Sequence, residues 1–148
     1  MATYSTDQVT NKQTYSGAFP SNVVQTVVGS FTISTALAAD DVVEMVKLPA
    51  GATVVGGYLR ATDIDTGTEA LDIDIGWAAN GTEAADPDGF GNLGVWTGDT
   101  NNDFELAGVL YTTGPQYFTE ETTIQLDVNA AANAGGTGVI WVVVQFFV

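Results

Sequence analysis

Four aspartates near the middle of the chain have the types and spacing that come closest to a chemical site. They flank Gly67, which would turn a hairpin in which Ile64 and Ile73 both face the core. All four carboxylates then share the outer face of that hairpin, where opposed like charges destabilise a strand pair. A calcium or magnesium ion would relieve the repulsion, because hard oxygen ligands suit both ions. Screening by dissolved ions would relieve it without a specific site, and we favour that alternative. The candidate metal ligands are Asp63, Asp65, Asp72 and Asp74.

A second acidic stretch begins like a calcium-binding loop but departs from the pattern. Asp99, Asn101 and Asp103 stand at alternate positions, yet Phe104 replaces the glycine and Leu110 replaces the bidentate glutamate. Pairs of acids also hydrolyse glycosides, but the pairs in this sequence come without a recognisable cleft. We therefore expect no cofactor other than a structural calcium or magnesium ion.

Composition removes most classes of enzyme. The chain has 148 residues, no cysteine and no histidine. The Ser-His-Asp and Cys-His nucleophile arrangements, the common zinc ligand sets and disulfides are therefore excluded. The sequence predicts a protein that is not an enzyme, and its length is that of one domain with a core of its own.

The charge of the chain limits its partners. Eighteen acidic residues stand against Lys12, Lys47 and Arg60, which gives a formal charge of −15. Such a chain repels a phosphate backbone, so we expect no nucleic-acid partner. The longest apolar run, residues 139–144, is far too short to cross a bilayer, and the first residues lack the features of a signal peptide. We expect no membrane partner.

The periodicity of apolar residues predicts an all-β fold. Its clearest example is residues 71–77, where Leu71, Ile73, Ile75 and Trp77 share one face of a strand. Segment 42–48 is less regular, which favours an edge position or a β-bulge, and no helix of ordinary length is predicted. Strands are predicted at residues 27–37, 42–48, 53–61, 71–77, 104–112, 122–128 and 138–148. Residues 25–148 should form one antiparallel β-sandwich of the jelly-roll or Greek-key type.

Aromatic residues suggest which surfaces contact other molecules. The last strand is apolar on both faces apart from Gln145, which predicts a central strand covered on both sides or one that packs against another subunit. Trp77 and Trp141 continue apolar alternations and should be buried. Trp96 lies in a glycine-rich loop, residues 78–103, and should be exposed. The predicted interface residues of this half of the chain are Trp96, Phe146, Phe147 and Val148.

The first 24 residues predict an extended N-terminal arm. They are rich in Thr, Ser, Asn and Gln, with Tyr4, Tyr15 and Phe19 spaced through them as anchors for an interface. An extended arm of this length reaches roughly 70 to 80 Å, enough to lie on a neighbouring subunit. The alternative is a disordered terminus.

Residues 47–77 carry a resemblance to a known family. The segment KLPAGATVVGGYLRATDIDTGTEALDIDIGW resembles small structural proteins of tailed bacteriophages that are encoded near the major capsid protein. The resemblance implies a noncatalytic decoration or cement protein on the outer capsid surface of the virion. Such a protein binds the major capsid protein and reinforces contacts between its subunits. The resemblance also implies a homo-oligomer, with a trimer favoured.

Two other functions remain open from the sequence. A head fibre, neck or tail protein would share the fold and composition, and its position on the virion would distinguish it. A carbohydrate-binding β-sandwich module would use exposed aromatic faces and carboxylates, and binding to a glycan array would distinguish it.

Overall fold

A computed structural model describes residues 1–10, 23–98, 100–104, 108–134 and 137–148. These ranges contain ten β-strands and two short helices. In chain order they are β1 (Thr3–Ser5), α1 (Asp7–Thr10), β2 (Gln25–Ile33), β3 (Val42–Leu48), β4 (Thr53–Ala61), β5 (Asp72–Trp77), β6 (Asp86–Gly91), β7 (Thr100–Asp103), α2 (Gly108–Thr112), β8 (Gln116–Tyr117), β9 (Thr122–Ala130) and β10 (Gly138–Phe147). Within the described ranges, no helix is long and apolar enough to cross a membrane.

The strands form two sheets, which confirms the predicted all-β sandwich. Sheet I has the order β1-β3-β9-β5-β6, and sheet II has the order β2-β10-β4-β7, with β8 also paired to β4. The pairs are antiparallel except for β1 with β3. From β2 to β5 the chain changes sheet at every connection, so most contacts are remote in sequence. The jelly-roll type stays an interpretation of this strand order.

The strand alternation fills the space between the sheets with apolar side chains. Ile73, Ile75, Ile124 and Leu126 of sheet I are fully buried, as is Leu59 of sheet II. Aromatic rings close one end of this core. The Trp77 ring lies 5.1 Å from Phe90 and 5.3 Å from Phe118, and Phe90 stacks on Phe104 at 5.1 Å.

A tight turn links β3 of sheet I to β4 of sheet II. The amide of Ala52 donates to the carbonyl of Pro49 at 3.2 Å, and Gly51 has φ = 82°. The two central residues of the turn are Ala50 and Gly51, which follow Pro49, and glycine takes the left-handed position at little steric cost. The predicted turn is confirmed, and so is the predicted bulge of β3, whose pairing with β9 shifts between Glu44 and Val46.

Two predictions about the second half of the chain are wrong. Residues 78–103 are more than a loop, because they contain β6 and β7. The sequence of β6, DPDGFG, consists mostly of turn-forming residues, which conceals a strand from pattern analysis. Gly89 is needed there because a Cβ atom at that position would overlap the ring of Trp77. The strand predicted at residues 104–112 is wrong where the structure describes it, since the Phe104 side chain is buried in the core and residues 108–112 form α2.

The hairpin predicted around Gly67 does not form. Strand β4 belongs to sheet II, whereas β5 pairs with β9 and β6 in sheet I. Residues 62–71 therefore cross from one sheet to the other. The long-range pairing of β5 with β9 replaces the local pairing that the sequence suggests.

The first ten residues lie on sheet I of their own chain. Strand β1 pairs in parallel with β3, and the Gln8 side chain accepts a hydrogen bond from the Lys47 amide at 2.7 Å. The Thr6 hydroxyl donates to the Met45 carbonyl at 2.6 Å. Residues 11–22 of the predicted arm lie outside the described residues, so the role of the arm stays a prediction.

Candidate interaction surfaces

The four candidate metal ligands occupy different environments rather than one shared face. Asp65 is buried in the crossing segment and Asp63 is exposed beside it, whereas Asp72 and Asp74 lie on the outward side of β5. Within the described part of the chain, no three acidic side chains come together in an arrangement that could hold a metal ion. The shared face was expected from the hairpin, and the crossing of residues 62–71 between the sheets removes it.

Asp65 organises the crossing segment. One of its carboxylate oxygens accepts hydrogen bonds from the amides of Ala70 at 2.6 Å and Leu71 at 2.9 Å. The other accepts from the amide of Ala134 at 3.4 Å. The bonds from Ala70 and Leu71 stabilise the ionised form and so hold the pKa of Asp65 below its usual value, although burial opposes them. Asp65 is therefore a structural residue that satisfies buried amides.

Asp74 has the opposite behaviour. Burial raises its pKa, and the charge of Asp72 adds to that effect. Asn129 donates from its side-chain nitrogen to Asp74 at 2.7 Å and to Asp72 at 3.4 Å. An amide thus bridges these two carboxylates, and the amide of Leu93 donates to Asp74 at 3.2 Å.

A similar arrangement continues on the neighbouring strand. Asp127 of β9 lies directly opposite Asp74 in the register. Burial raises the pKa of Asp127, and the Gln125 side chain donates to both of its oxygens at 3.0 and 2.9 Å. Amide side chains therefore partner Asp72, Asp74 and Asp127, whereas Lys47 on the same side of sheet I pairs with Glu121 at 3.3 Å.

A pocket of about 330 Å³ lies between β6 and α2. Burial raises the pKa of Asp86, and a hydrogen bond with Asp88 adds to the shift. The described lining of the pocket consists of Asp86, Asp88, Gly89, Gly108, Val109 and Thr112. These residues offer two acids to a ligand, without a nucleophile paired to a base.

The three tryptophans are distributed differently from the prediction. Trp77 is buried as expected, but Trp96 is also buried, with 3% of its surface exposed. Its ring nitrogen donates to the Ile73 carbonyl at 3.3 Å, and its amide donates to the Leu71 carbonyl at 2.8 Å. Trp141, predicted to be buried, is 38% exposed. The tryptophan that a partner can reach is therefore Trp141 rather than Trp96.

The other predicted interface residues also differ in their exposure to solvent. Phe146 is fully buried in the core, so its side chain is unavailable to a partner. Phe147 and Val148 are half-buried, and Val148 packs against the core. Tyr4 lies 5.5 Å from Phe31 of the same chain. Tyr15 and Phe19 lie outside the described residues.

The two sheets differ sharply in charge. The strands of sheet I contain six acidic residues and one lysine, whereas those of sheet II contain one arginine and one acidic residue. These two residues, Arg60 and Asp103, form an ion pair at 3.2 Å. The outward sides of the sheets are therefore a strongly acidic surface and a surface with balanced charge.

We call the outward side of sheet II the neutral face. In the register, Val143 of β10 lies between Val28 and Tyr58, and Trp141 lies between Ser30 and Arg60. The Arg60 guanidinium lies 4.4 Å from the centre of the Tyr58 ring. The neutral face consists of Val28, Tyr58, Arg60, Trp141, Val143 and Phe147.

Sequence analysis missed this surface, although a signal for it exists. Strand β10 is central in its sheet as predicted, between β2 and β4, but among the described residues the predicted cover on both sides is absent at Trp141. Comparing the charges of the predicted strands one by one would have separated neutral from acidic strands, but not shown that the neutral ones share a sheet.

Comparisons with known proteins show which fold this is. No family model matches the sequence, and no curated protein matches it. The structure is similar to a chain from the capsid of Ralstonia phage GP4, with a TM-score of 0.74 and 19% identity over 99% of this chain and 97% of that chain. A chain from the capsid asymmetric unit of cyanophage Pam1 has a TM-score of 0.60 and 22% identity over 89% of each chain. A chain from the acidic stable capsid of Helicobacter pylori bacteriophage KHP30 has a TM-score of 0.53 and 18% identity over 88% of this chain and 92% of that chain. At these identities the comparisons show a shared fold.

Proposed function

We propose that this chain is a noncatalytic structural protein of a bacteriophage virion. Within the virion, it is a decoration or cement protein that binds the outer capsid surface and reinforces contacts between major capsid subunits. The observation that carries the proposal is the match, over nearly the whole of both chains, to a chain from the capsid of Ralstonia phage GP4. The resemblance of residues 47–77 to phage structural proteins supports the same function.

The size of the matching chain favours an accessory role. Because the match covers 99% of this chain and 97% of the other, a single sandwich of this size is a separate chain in that capsid. A separate small domain suits a protein that is added to a shell. Many copies on a repeating lattice also give a high total affinity from weak individual contacts.

The charge of the chain favours the outside of the shell. The inner surface of a capsid faces packaged DNA, and a chain with a formal charge of −15 would be repelled by its phosphates. On the outer surface the same charge keeps particles soluble and apart. We propose the major capsid protein as the partner and a homo-oligomer, with a trimer favoured, as the bound form.

Binding to empty shells tests this function. Shells of the source phage prepared without this protein should bind the purified chain until all sites are filled, and should then resist heat to a higher temperature. Cosedimentation measures the binding, and light scattering during heating measures shell breakage. Failure of the folded chain to sediment with the shells at micromolar concentration would refute the proposal.

A further inference from the structure

The neutral face lacks a partner among the described residues. Val28 is 51% exposed on the edge strand β2, and Trp141 is 38% exposed on the neighbouring strand β10, whereas Val143, opposite Val28 on β10, is 7% exposed. We infer that copies of this chain associate through the neutral face, which points toward the axis that relates them. The occupant of the face is therefore a second copy of the same chain.

The size of the face suits such an association. Three long strands about 4.8 Å apart, with nine or ten residues at about 3.3 Å each, span roughly 14 Å by 30 Å, and the four-residue β7 extends one end of this area. A standard interface buries about 800 Å² of accessible surface on each partner. An interface of that size therefore needs the whole of the neutral face.

The charge of each copy favours association in which both copies present the neutral face. Each copy carries a formal charge of −15, so two copies repel each other in most orientations. Sheet I brings the carboxylates of Glu44, Asp72, Asp74 and Asp127 to its outward side. On the neutral face, Arg60 and Asp103 compensate each other at 3.2 Å. Copies that meet through their neutral faces keep the carboxylates of sheet I away from the contact.

The residue types of the neutral face, and the fixed position of one of its side chains, favour binding as well. Tryptophan, tyrosine and arginine contribute most strongly to interfaces, and the face presents Trp141, Tyr58 and Arg60 on neighbouring strands. Arg60 is already held between Tyr58 and Asp103. A side chain that is positioned before binding loses less conformational entropy when the interface forms.

Two substitutions on the neutral face test the inference. Trp141→Glu and Val28→Glu each place a charge where the copies meet, and burying an unpaired charge is unfavourable. Sedimentation velocity of the full chain should show an oligomer for the wild type and at least a tenfold weaker association for each variant. Circular dichroism should show the native fold for both variants.

Thr123→Glu is the matched control. Thr123 is half-exposed on the outward side of sheet I and pairs with Lys47 across the strands, so the new carboxylate has a basic neighbour. This variant adds the same charge as the other two and should keep the oligomer of the wild type. A monomeric wild type would overturn the inference. It would also be overturned if Trp141→Glu and Val28→Glu fold and keep the full mass, including the case in which they lose only binding to shells.

The inference and the proposed function fail separately. Oligomeric mass is measured on the free protein, without any capsid. A monomer that still binds shells would leave the function standing and remove the inference. An oligomer that binds no shells would remove the proposed function and leave the inference standing.

Discussion

At the scale of single residues, Asp65 and Asp72 show how surroundings determine the role of a carboxylate. Asp65 accepts hydrogen bonds from two consecutive backbone amides, which favours its charged form. Asp72 lies beside Asp74, whose pKa rises with burial and with the charge of Asp72. The negative charge is therefore favourable at the first position and unfavourable at the second.

The same substitution should have opposite effects at these two positions. Asp65→Asn keeps one oxygen acceptor for the Ala70 and Leu71 amides but removes the charge that strengthens those bonds, and it places an NH2 group opposite the Ala134 amide, so we expect the melting temperature to fall by several degrees. Asp72→Asn removes a repulsive charge from beside Asp74, so we expect a neutral or slightly stabilising effect at low salt. Thermal melts at low and high sodium chloride measure both, and a clear loss of stability in Asp72→Asn would contradict the prediction.

Calcium titration separates the two explanations for how the carboxylates are tolerated. We propose screening, in which stability follows ionic strength and sodium chloride substitutes fully for calcium. A bound ion would instead raise the melting temperature in a saturable way at concentrations near its dissociation constant. A saturable shift that Asp72→Asn abolishes would establish a metal site and contradict screening.

At the scale of elements, the N-terminal segment combines two kinds of contact. Residues 1–10 bind to β3 through the β1 pairing and through the side chains of Thr6 and Gln8. A three-residue strand and a single helical turn are too short to produce a periodic pattern in the sequence. The sequence could therefore not reveal that this part of the arm returns to its own sheet.

Substitutions along the arm should separate binding to the shell from folding. We expect Tyr15→Ser combined with Phe19→Ser to weaken binding to shells by about tenfold, because two apolar anchors are lost. The melting temperature should stay unchanged. Tyr4→Ser is the control, because Tyr4 packs 5.5 Å from Phe31 and its loss should lower stability instead. Full occupancy of shells by the double variant, measured by cosedimentation, would show that the arm does not bind the shell.

Long alternating strands could be predicted from the sequence, and long-range pairings could not. Strands β2, β5 and β9 follow the sequence period of two, because each has one side in the core. The error around Gly67 arose because local sequence favours a hairpin, whereas burial of Ile73 and Ile75 is achieved by pairing β5 with β9. The buried position of Trp96 follows from the same pairing, since its amide bonds to the Leu71 carbonyl just before β5.

At the scale of the whole molecule, folding separates the charge of the chain between the two sheets. The sequence shows the total charge of −15 but not its distribution, because most strands that follow one another in sequence lie in different sheets. Folding collects the acidic strands into sheet I and the balanced strands into sheet II. Under the association inferred above, the neutral side contacts other copies and the acidic side faces solvent, which suits a protein bound to the outside of a shell.

A cryo-electron microscopy reconstruction of the source particle tests the central claim most directly. We predict β-sandwich density on the outer surface of the head, above the junctions between major capsid subunits, at a resolution that identifies this chain. Density for this sandwich within the closed shell itself, or only at the neck or tail, would contradict the proposed decoration role.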